Sequence, residues 1–428
     1  MKLILFLCGQ IGVMCLARFF FGWMTRFADA GGAGGEALFS GALVGYTLLV
    51  FRIFDGVTDP LAGTLSDWWK RKGRPRQQLL LFFFLLPAVG LVLCFLPSSA
   101  MSPFVRWATL ASGLLVFFAG YTLYAIPYWS LVEDYSGGDL KLRRRLSNLL
   151  GLGMMIATGL GFVVSGPLIE QFGYVTAAVI FAVFGCLLMP LPFFAVPVKE
   201  ALENAQTETG EHVPLRKSLR LSLTHGRFLG LIALFSGSQM SFTIMTAAAP
   251  FITIELLGGS EKNVPLVLGP LLGVAIPFFF FVPGLSKRFG WEKGMLFASI
   301  ALAVVYTGTG GLGQAWIGTP MLTASVVFAF AGPMAAVLLG MEGEAIVDCA
   351  RERGGDALAG IYWGVFNFIV KIMNGVALLI SGYLADWSRT AGDIAVRSMG
   401  FAAGACLLVG VSVYAVIKLA TKSASAPR

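Results

Sequence analysis

The chain has 428 residues, of which 57% are hydrophobic and 13% charged, a balance too apolar for a water-soluble protein of this length. A formal charge of +8 would suit nucleic acid only if the basic residues formed one face, and they follow alternate loops instead. The sequence has no HExxH, GxSxG, phosphate-binding loop or paired-cysteine motif, so an enzyme is not expected.

Apolar stretches long enough to cross hydrocarbon, about 20 residues, fall at 3–25, 38–66, 78–97, 104–130, 147–169, 174–197, 227–256, 264–286, 293–314, 319–341, 357–384 and 398–420. They predict an all-α membrane protein of twelve transmembrane helices. The first stretch lacks a small-residue cleavage site and is followed by more spans, so it reads as a retained helix and not as a removed signal peptide. Arg18 lies well inside it.

The second span carries Asp55 and Asp59, four residues apart and therefore on one helix face. A carboxylate at that depth is costly unless it meets a cavity, a cation or a partner charge. Pro60 has no N–H to give, which frees the carbonyl of Gly56 as a third oxygen. Two carboxylates and a carbonyl suit Na⁺ or a proton; an internal salt bridge to Arg52 or Lys371 is the alternative. After this span come Asp67, Lys70, Arg71, Lys72, Arg74 and Arg76, a loop expected to act as a gate by pairing with Glu133, Asp134 or Asp348.

The remaining basic residues repeat the pattern: Lys141 and Arg143 to Arg145 after the fourth span, Lys199, Arg216, Lys217 and Arg220 in the centre, Lys287 and Arg288 after the eighth, Arg351 and Arg353 after the tenth. The intervening loops are nearly free of them. Positive-inside bias then puts both termini in the cytoplasm of a cell whose inner membrane holds the chain. Lys371, in the eleventh span, is with Arg18 a second buried cation, either meeting a substrate carboxylate or phosphate or neutralising the aspartates. Trp129, Trp363, Tyr124 and Phe20 could stack on a ligand or simply pack. Gln239 and Asn367 read as interhelical hydrogen-bonding groups. His212 and His225 sit in or beside the central polar segment and are not placed for an intramembrane relay, and the six scattered cysteines read as packing residues.

The halves repeat in parallel. Glu133-Asp134 and Gly137-Gly138-Asp139 are echoed by Val347-Asp348 and Gly354-Gly355-Asp356, Ser165-Gly166 by Ser381-Gly382, and Gly63-Thr64-Leu65-Ser66 by Gly284-Leu285-Ser286, all at roughly half the chain length. The repeat predicts a six-helix bundle over 1–198, a cytoplasmic linker over 199–225 and a second bundle over 226–428, the arrangement of major facilitator transporters, which move solute by alternating access.

Asp55-Gly56-Val57-Thr58-Asp59-Pro60-Leu61-Ala62-Gly63, running into Ser66-Asp67 and Lys72-Gly73-Arg74, resembles the helix 2 signature of the glycoside-pentoside-hexuronide:cation symporters, the melibiose permease family. Tyr121-Thr122 with Ile126-Pro127-Tyr128-Trp129, Val347-Asp348 with Gly354-Gly355, and Lys371 are similar to further blocks of that family. The resemblance implies that Asp55, Asp59 and Thr122 bind the coupling cation, and that Trp129 and Tyr121 line the substrate cavity. The sugar permeases carry acids in helix 1 and before the helix 4 Ile-Pro; here those places hold Arg18-Phe19 and Ala125. A neutral galactoside is therefore not expected. An anionic glycoside or uronide is, with a lysolipid as the alternative solute and a non-transporting solute sensor as the alternative of another class. The partners expected are a small-molecule substrate, Na⁺ or H⁺, and the lipid bilayer, with no other cofactor, no nucleic acid and a monomeric state.

Overall fold

The computed structural model describes residues 2–30, 36–137, 139–198, 200, 220–313, 318–354 and 359–424. Most of the expected linker, and Gly138, Gly355 and Asp356 of the repeat, lie outside these residues. Among the described residues there are twelve helices long and apolar enough to cross a membrane and no strand. They are α1 (Lys2–Asp29), α2 (Gly41–Arg71), α3 (Gln77–Phe95), α4 (Pro103–Ser136), α5 (Lys141–Val163), α6 (Ser165–Phe194), α7 (Gly226–Leu256), α8 (Glu261–Phe289), α9 (Trp291–Gly311), α10 (Pro320–Arg353), α11 (Ile361–Ala391) and α12 (Asp393–Thr421).

Local chemistry corrects two boundaries. The basic segment after α4 is helical and not a loop: Gly137 ends α4 in the left-handed conformation, and the Asp139 carboxylate then caps α5 by accepting from the Lys141 and Leu142 amides at 2.8 and 3.3 Å. An anionic cap offsets the unpaired amides of a first turn. Within α6 the backbone leaves helical geometry at Gly173, with φ 78° and ψ 168°, which falls between the predicted spans 147–169 and 174–197.

Gly173 also shows the repeat in the backbone. Its counterpart is Gly392 (φ 54°), 219 residues on, as Gly73 (φ 69°) and Gly290 (φ 74°) are 217 apart. A positive φ is nearly free for glycine and costly for other residues, so equivalent turns of the two halves rest on the same residue type.

The chain divides into two compact units. One comprises 1–40 with 53–209, the other 41–52 with 210–428. The start of α2 thus clusters with the second half, which the repeat alone does not suggest. Small residues explain it. Gly41 and Gly45 meet α11 at Gly382 and Leu379 so closely that a Cβ on Gly382 would lie 2.1 Å from the Gly41 carbonyl. The Asp386 carboxylate accepts from the Ala42 amide at 2.9 Å, and the Tyr46 and Tyr383 hydroxyls are 2.8 Å apart.

In the first unit α3 and α4 cross on glycines. A Cβ on Gly90 would sit 2.2 Å from the Phe117 nitrogen, and one on Gly113 2.7 Å from the Cys94 nitrogen. Close backbone approach of this kind drives helix association in hydrocarbon, where apolar burial does not. Gly90→Ala should therefore lower unfolding stability by about 1–3 kcal/mol, the range for overpacking, whereas Gly159→Ala, with nothing within 4 Å, should leave it unchanged or slightly raised. Thermal melting of the purified variants in one detergent separates the two.

Candidate functional site

Three oxygens meet inside the first unit. Asp55 and Thr122 are buried, at 0% and 1% exposure. The Thr122 hydroxyl lies 2.8 Å from Asp55 Oδ1 and 3.4 Å from Asp59 Oδ1. α2 supplies both carboxylates because they are one turn apart, and α4 lays the hydroxyl against them. A hydroxyl has one proton to donate, so it satisfies one of the carboxylates at a time. Thr58 donates to the Asp55 carbonyl at 3.1 Å, and Pro60 lies inside the helix one turn beyond Gly56, as the freed-carbonyl reading requires.

Beside this cluster α1, α4 and α5 build a polar stripe with a shared spacing of eight residues. Trp129 donates its indole N–H to Gln10 at 3.0 Å, and the Tyr121 hydroxyl reaches the Met14 sulfur at 4.0 Å. Arg18 lies within electrostatic reach of Tyr121, and its Nε has no hydrogen-bond partner among the described residues. Gly153 and Gly161 of α5 make room: a Cβ at either would strike the stems of Gln10 and Arg18 at 2.7 Å. Gln10 was not expected from the sequence, although the matched spacing of Gln10/Arg18, Tyr121/Trp129 and Gly153/Gly161 could have signalled it.

Tyr124 requires a correction. It is fully buried, its hydroxyl donates to the Met189 carbonyl at 2.6 Å, and it stacks on Tyr128. Facing the α6 side of α4, it is a packing residue and leaves the candidate substrate set. Trp363 and Lys371 belong to the second unit; Trp363 packs edge-on to Phe366, and a Cβ on Gly343 would touch its ring at 3.6 Å.

Among the expected gating residues the pairing differs in one detail. Asp134, buried at 4% exposure, accepts from Arg76 at 3.1 Å and Lys70 at 3.3 Å, and Arg76 also bridges to Asp67. Arg74 instead stacks over the Trp69 ring at 4.7 Å, because the left-handed turn at Gly73 folds the chain back so that the Arg74 amide donates to the Trp69 carbonyl at the end of α2. In the second unit Asp348 accepts from the Trp291 indole (2.9 Å) and Arg227 (3.0 Å). Arg227 also pairs with Glu292 (2.7 Å) and Glu352 (3.1 Å), and Glu292 holds Lys418 (2.8 Å). His225 lies in this network, 3.1 Å from the Tyr362 hydroxyl and 3.5 Å from Glu352; burial pushes its imidazole down against the pull of that carboxylate. The hub on Arg227 was missed, since nothing in the spacing singles out one arginine at a helix start. Glu342, inside α10, was missed too; it has no hydrogen bond or ion pair with another described residue.

Twelve apolar helices with a carboxylate pair inside one of them and basic turns on alternate connections define a multi-pass membrane transporter. Residues 37–413 match the family model described as MFS/sugar transport protein, and the chain belongs to that family, in agreement with the resemblance read from α2, α4 and α10. A symporter of Bacillus subtilis (strain 168), YjmB, whose function is uncharacterised, is 24% identical over 82% of this chain and 78% of its own length. An isoprimeverose transporter of Lactiplantibacillus pentosus is 23% identical over 82% and 75%. Among solved structures, a bacterial homologue of the human lysosomal transporter Spinster superposes with a TM-score of 0.71 at 13% identity, covering 97% of this chain and 96% of that one. A nucleoside transporter, NupG, gives 0.70 at 12% identity over 96% and 99%. These last two show the major facilitator fold.

The charge network yields a stability contrast. Removing one partner of a buried ion pair costs about 3–5 kcal/mol, whereas an exposed pair contributes about 0–1 kcal/mol. Asp134→Ala should therefore destabilise far more than Glu133→Ala, whose pair with Arg143 is half-exposed; denaturation of both variants under one set of conditions measures the difference.

Proposed function

We propose that the protein couples uptake of a small anionic sugar derivative, a glycoside or uronide, to entry of Na⁺ or H⁺ by alternating access. The observation that carries the reading is the Asp55–Thr122–Asp59 cluster: hard oxygen donors gathered between two apolar helices, with Asp55 and Thr122 buried, suit a monovalent cation. Asp55 and Asp59 supply the charge, Thr122 a neutral oxygen, and the bound cation offsets one negative charge of the site, which lowers the cost of a conformational change in hydrocarbon. The residues present fit such an ion.

Solute-binding roles are assigned to Arg18, Tyr121, Trp129 and Gln10 within the first unit and, separately, to Trp363 and Lys371 within the second. Arg18 has a buried Nε still to satisfy, which favours a carboxylate or phosphate, and the aromatic rings suit the apolar face of a sugar. The relative named for isoprimeverose supports a glycoside-sized solute. Basic residues on alternate connections support a cytoplasmic location for both termini and for the two charge networks, in an inner membrane.

Asp59→Asn should abolish cation-driven accumulation in proteoliposomes while solute exchange survives, because the ion site loses one charge and the solute residues are untouched; concentrative uptake unchanged in this variant would end the assignment. For solute binding, Lys371→Ala should weaken an anionic analogue by about 1.5–3 kcal/mol, the range for a charge-assisted hydrogen bond, and Lys371→Arg should keep part of it. Calorimetry with matched neutral and anionic analogues at saturating Na⁺ reads this out, and a preference for the neutral one would remove the charge assignment.

A further inference from the structure

The second unit holds a cavity of about 480 Å³ walled by α8, α9 and α10, within the usual range of about 300–1,000 Å³ for a bound organic molecule. Phe278 and Leu285 of α8, Phe297 of α9, and Met334 and Val337 of α10 form its sides, and Lys293 is the one charged residue among those that line it. The cavity arises where α8 tightens to a 3₁₀ turn at Phe279–Phe281 between Pro277 and Pro283, and where Gly294 leaves the space a side chain would take from Met341. Phe280, Phe281, Phe289 and Phe297 are 85%, 65%, 50% and 73% exposed on these membrane helices. The cavity is therefore bordered by acyl chains, and a sugar there would leave its hydroxyls unpaired.

Lys293, which lines the cavity, and Lys287 and Arg288, which lie in sequence between the lining residues Leu285 and Phe289, are unmatched. Lys287 and Arg288 end α8, and Lys293 sits in the first turn of α9, where the helix dipole disfavours a cation. Among the described residues none of the three forms an ion pair; Arg288 lies over the Phe289 ring at 5.2 Å. The neighbouring acids are engaged elsewhere. Glu292 holds Arg227 and Lys418, Asp348 and Glu352 hold Arg227, and Glu344 accepts from Ser286 at 2.7 Å. At the equivalent turn of the first unit, Lys70 and Arg76 have Asp134 and Asp67.

We propose that this cavity binds one acyl chain of an anionic glycerophospholipid from the leaflet on the side of the basic loops, its phosphate held by Lys293 with Lys287 and Arg288. An apolar slot with a cationic rim at the membrane surface matches such a lipid in both shape and charge.

The test is native mass spectrometry of the full chain released from nanodiscs of equimolar phosphatidylglycerol and phosphatidylcholine. Wild type should retain phosphatidylglycerol at least fivefold over phosphatidylcholine. Lys293→Gln with Lys287→Gln should remove that preference, and Met334→Trp, which fills the cavity with the charges intact, should lower retention of phosphatidylglycerol to the background of bulk lipid. Val337→Phe serves the same purpose if the tryptophan variant does not fold, as judged by its melting temperature. Equal retention of the two lipids by wild type, or retention of phosphatidylglycerol unaffected by filling the cavity, would overturn the proposal. Neither variant touches the proposed cation or solute residues, so the outcome is independent of the transport reading.

Discussion

A polar group inside hydrocarbon must find a partner within the protein, and most of the arrangement described above follows from that single demand. Asp55 has the Thr122 hydroxyl. Tyr124, Tyr128 and Tyr135 of α4 donate to the carbonyls of Met189, Phe6 and Pro192, fixing α4 against α1 and the end of α6. Arg397 donates to the Gly310 and Leu312 carbonyls at 2.7 Å each, where α9 ends. Arg227 gathers three carboxylates at one helix start. At Arg18 Nε the demand is left unmet among the described residues.

The two halves share a backbone plan without sharing its chemistry. Pro60 and Pro277 are 217 residues apart, the same interval as the turn glycines Gly73 and Gly290. In the first half the proline follows two carboxylates. In the second, the matching stretch Leu272 to Phe280 is apolar throughout, and the bend opens a slot lined by phenylalanine. The same irregularity thus accompanies a carboxylate cluster in one unit and an apolar slot in the other.

Span number, basic turns and the α2 carboxylates were legible in the sequence because each depends on composition or on a fixed helical period. The preference of Asp134 for Arg76 over Arg74 was not, since two arginines two residues apart are distinguished only by the left-handed turn at Gly73. Tyr124 looked like its neighbours Tyr121 and Trp129, and only the Met189 carbonyl and the Tyr128 ring that it meets mark it as a packing residue. The clustering of 41–52 with the second half escaped the repeat because it depends on glycine at 41, 45 and 382, a signal that membrane helices carry widely. Gln10 was hidden for the opposite reason: a single glutamine in an apolar helix has no period until the partner helices are known.

The glycine sockets at 153 and 161 bear on how such a protein could diversify. They receive the stems of Gln10 and Arg18 on α1, while the carboxylates of the ion cluster are carried by α2, and α4 alone contributes to both. A side chain of similar girth at position 10 or 18 can therefore be exchanged without disturbing the groups around Asp55. Under the proposed reading, recognition of a new solute and retention of a driving ion would be mutationally separable, so that a lineage could change what it carries while keeping the way it is powered.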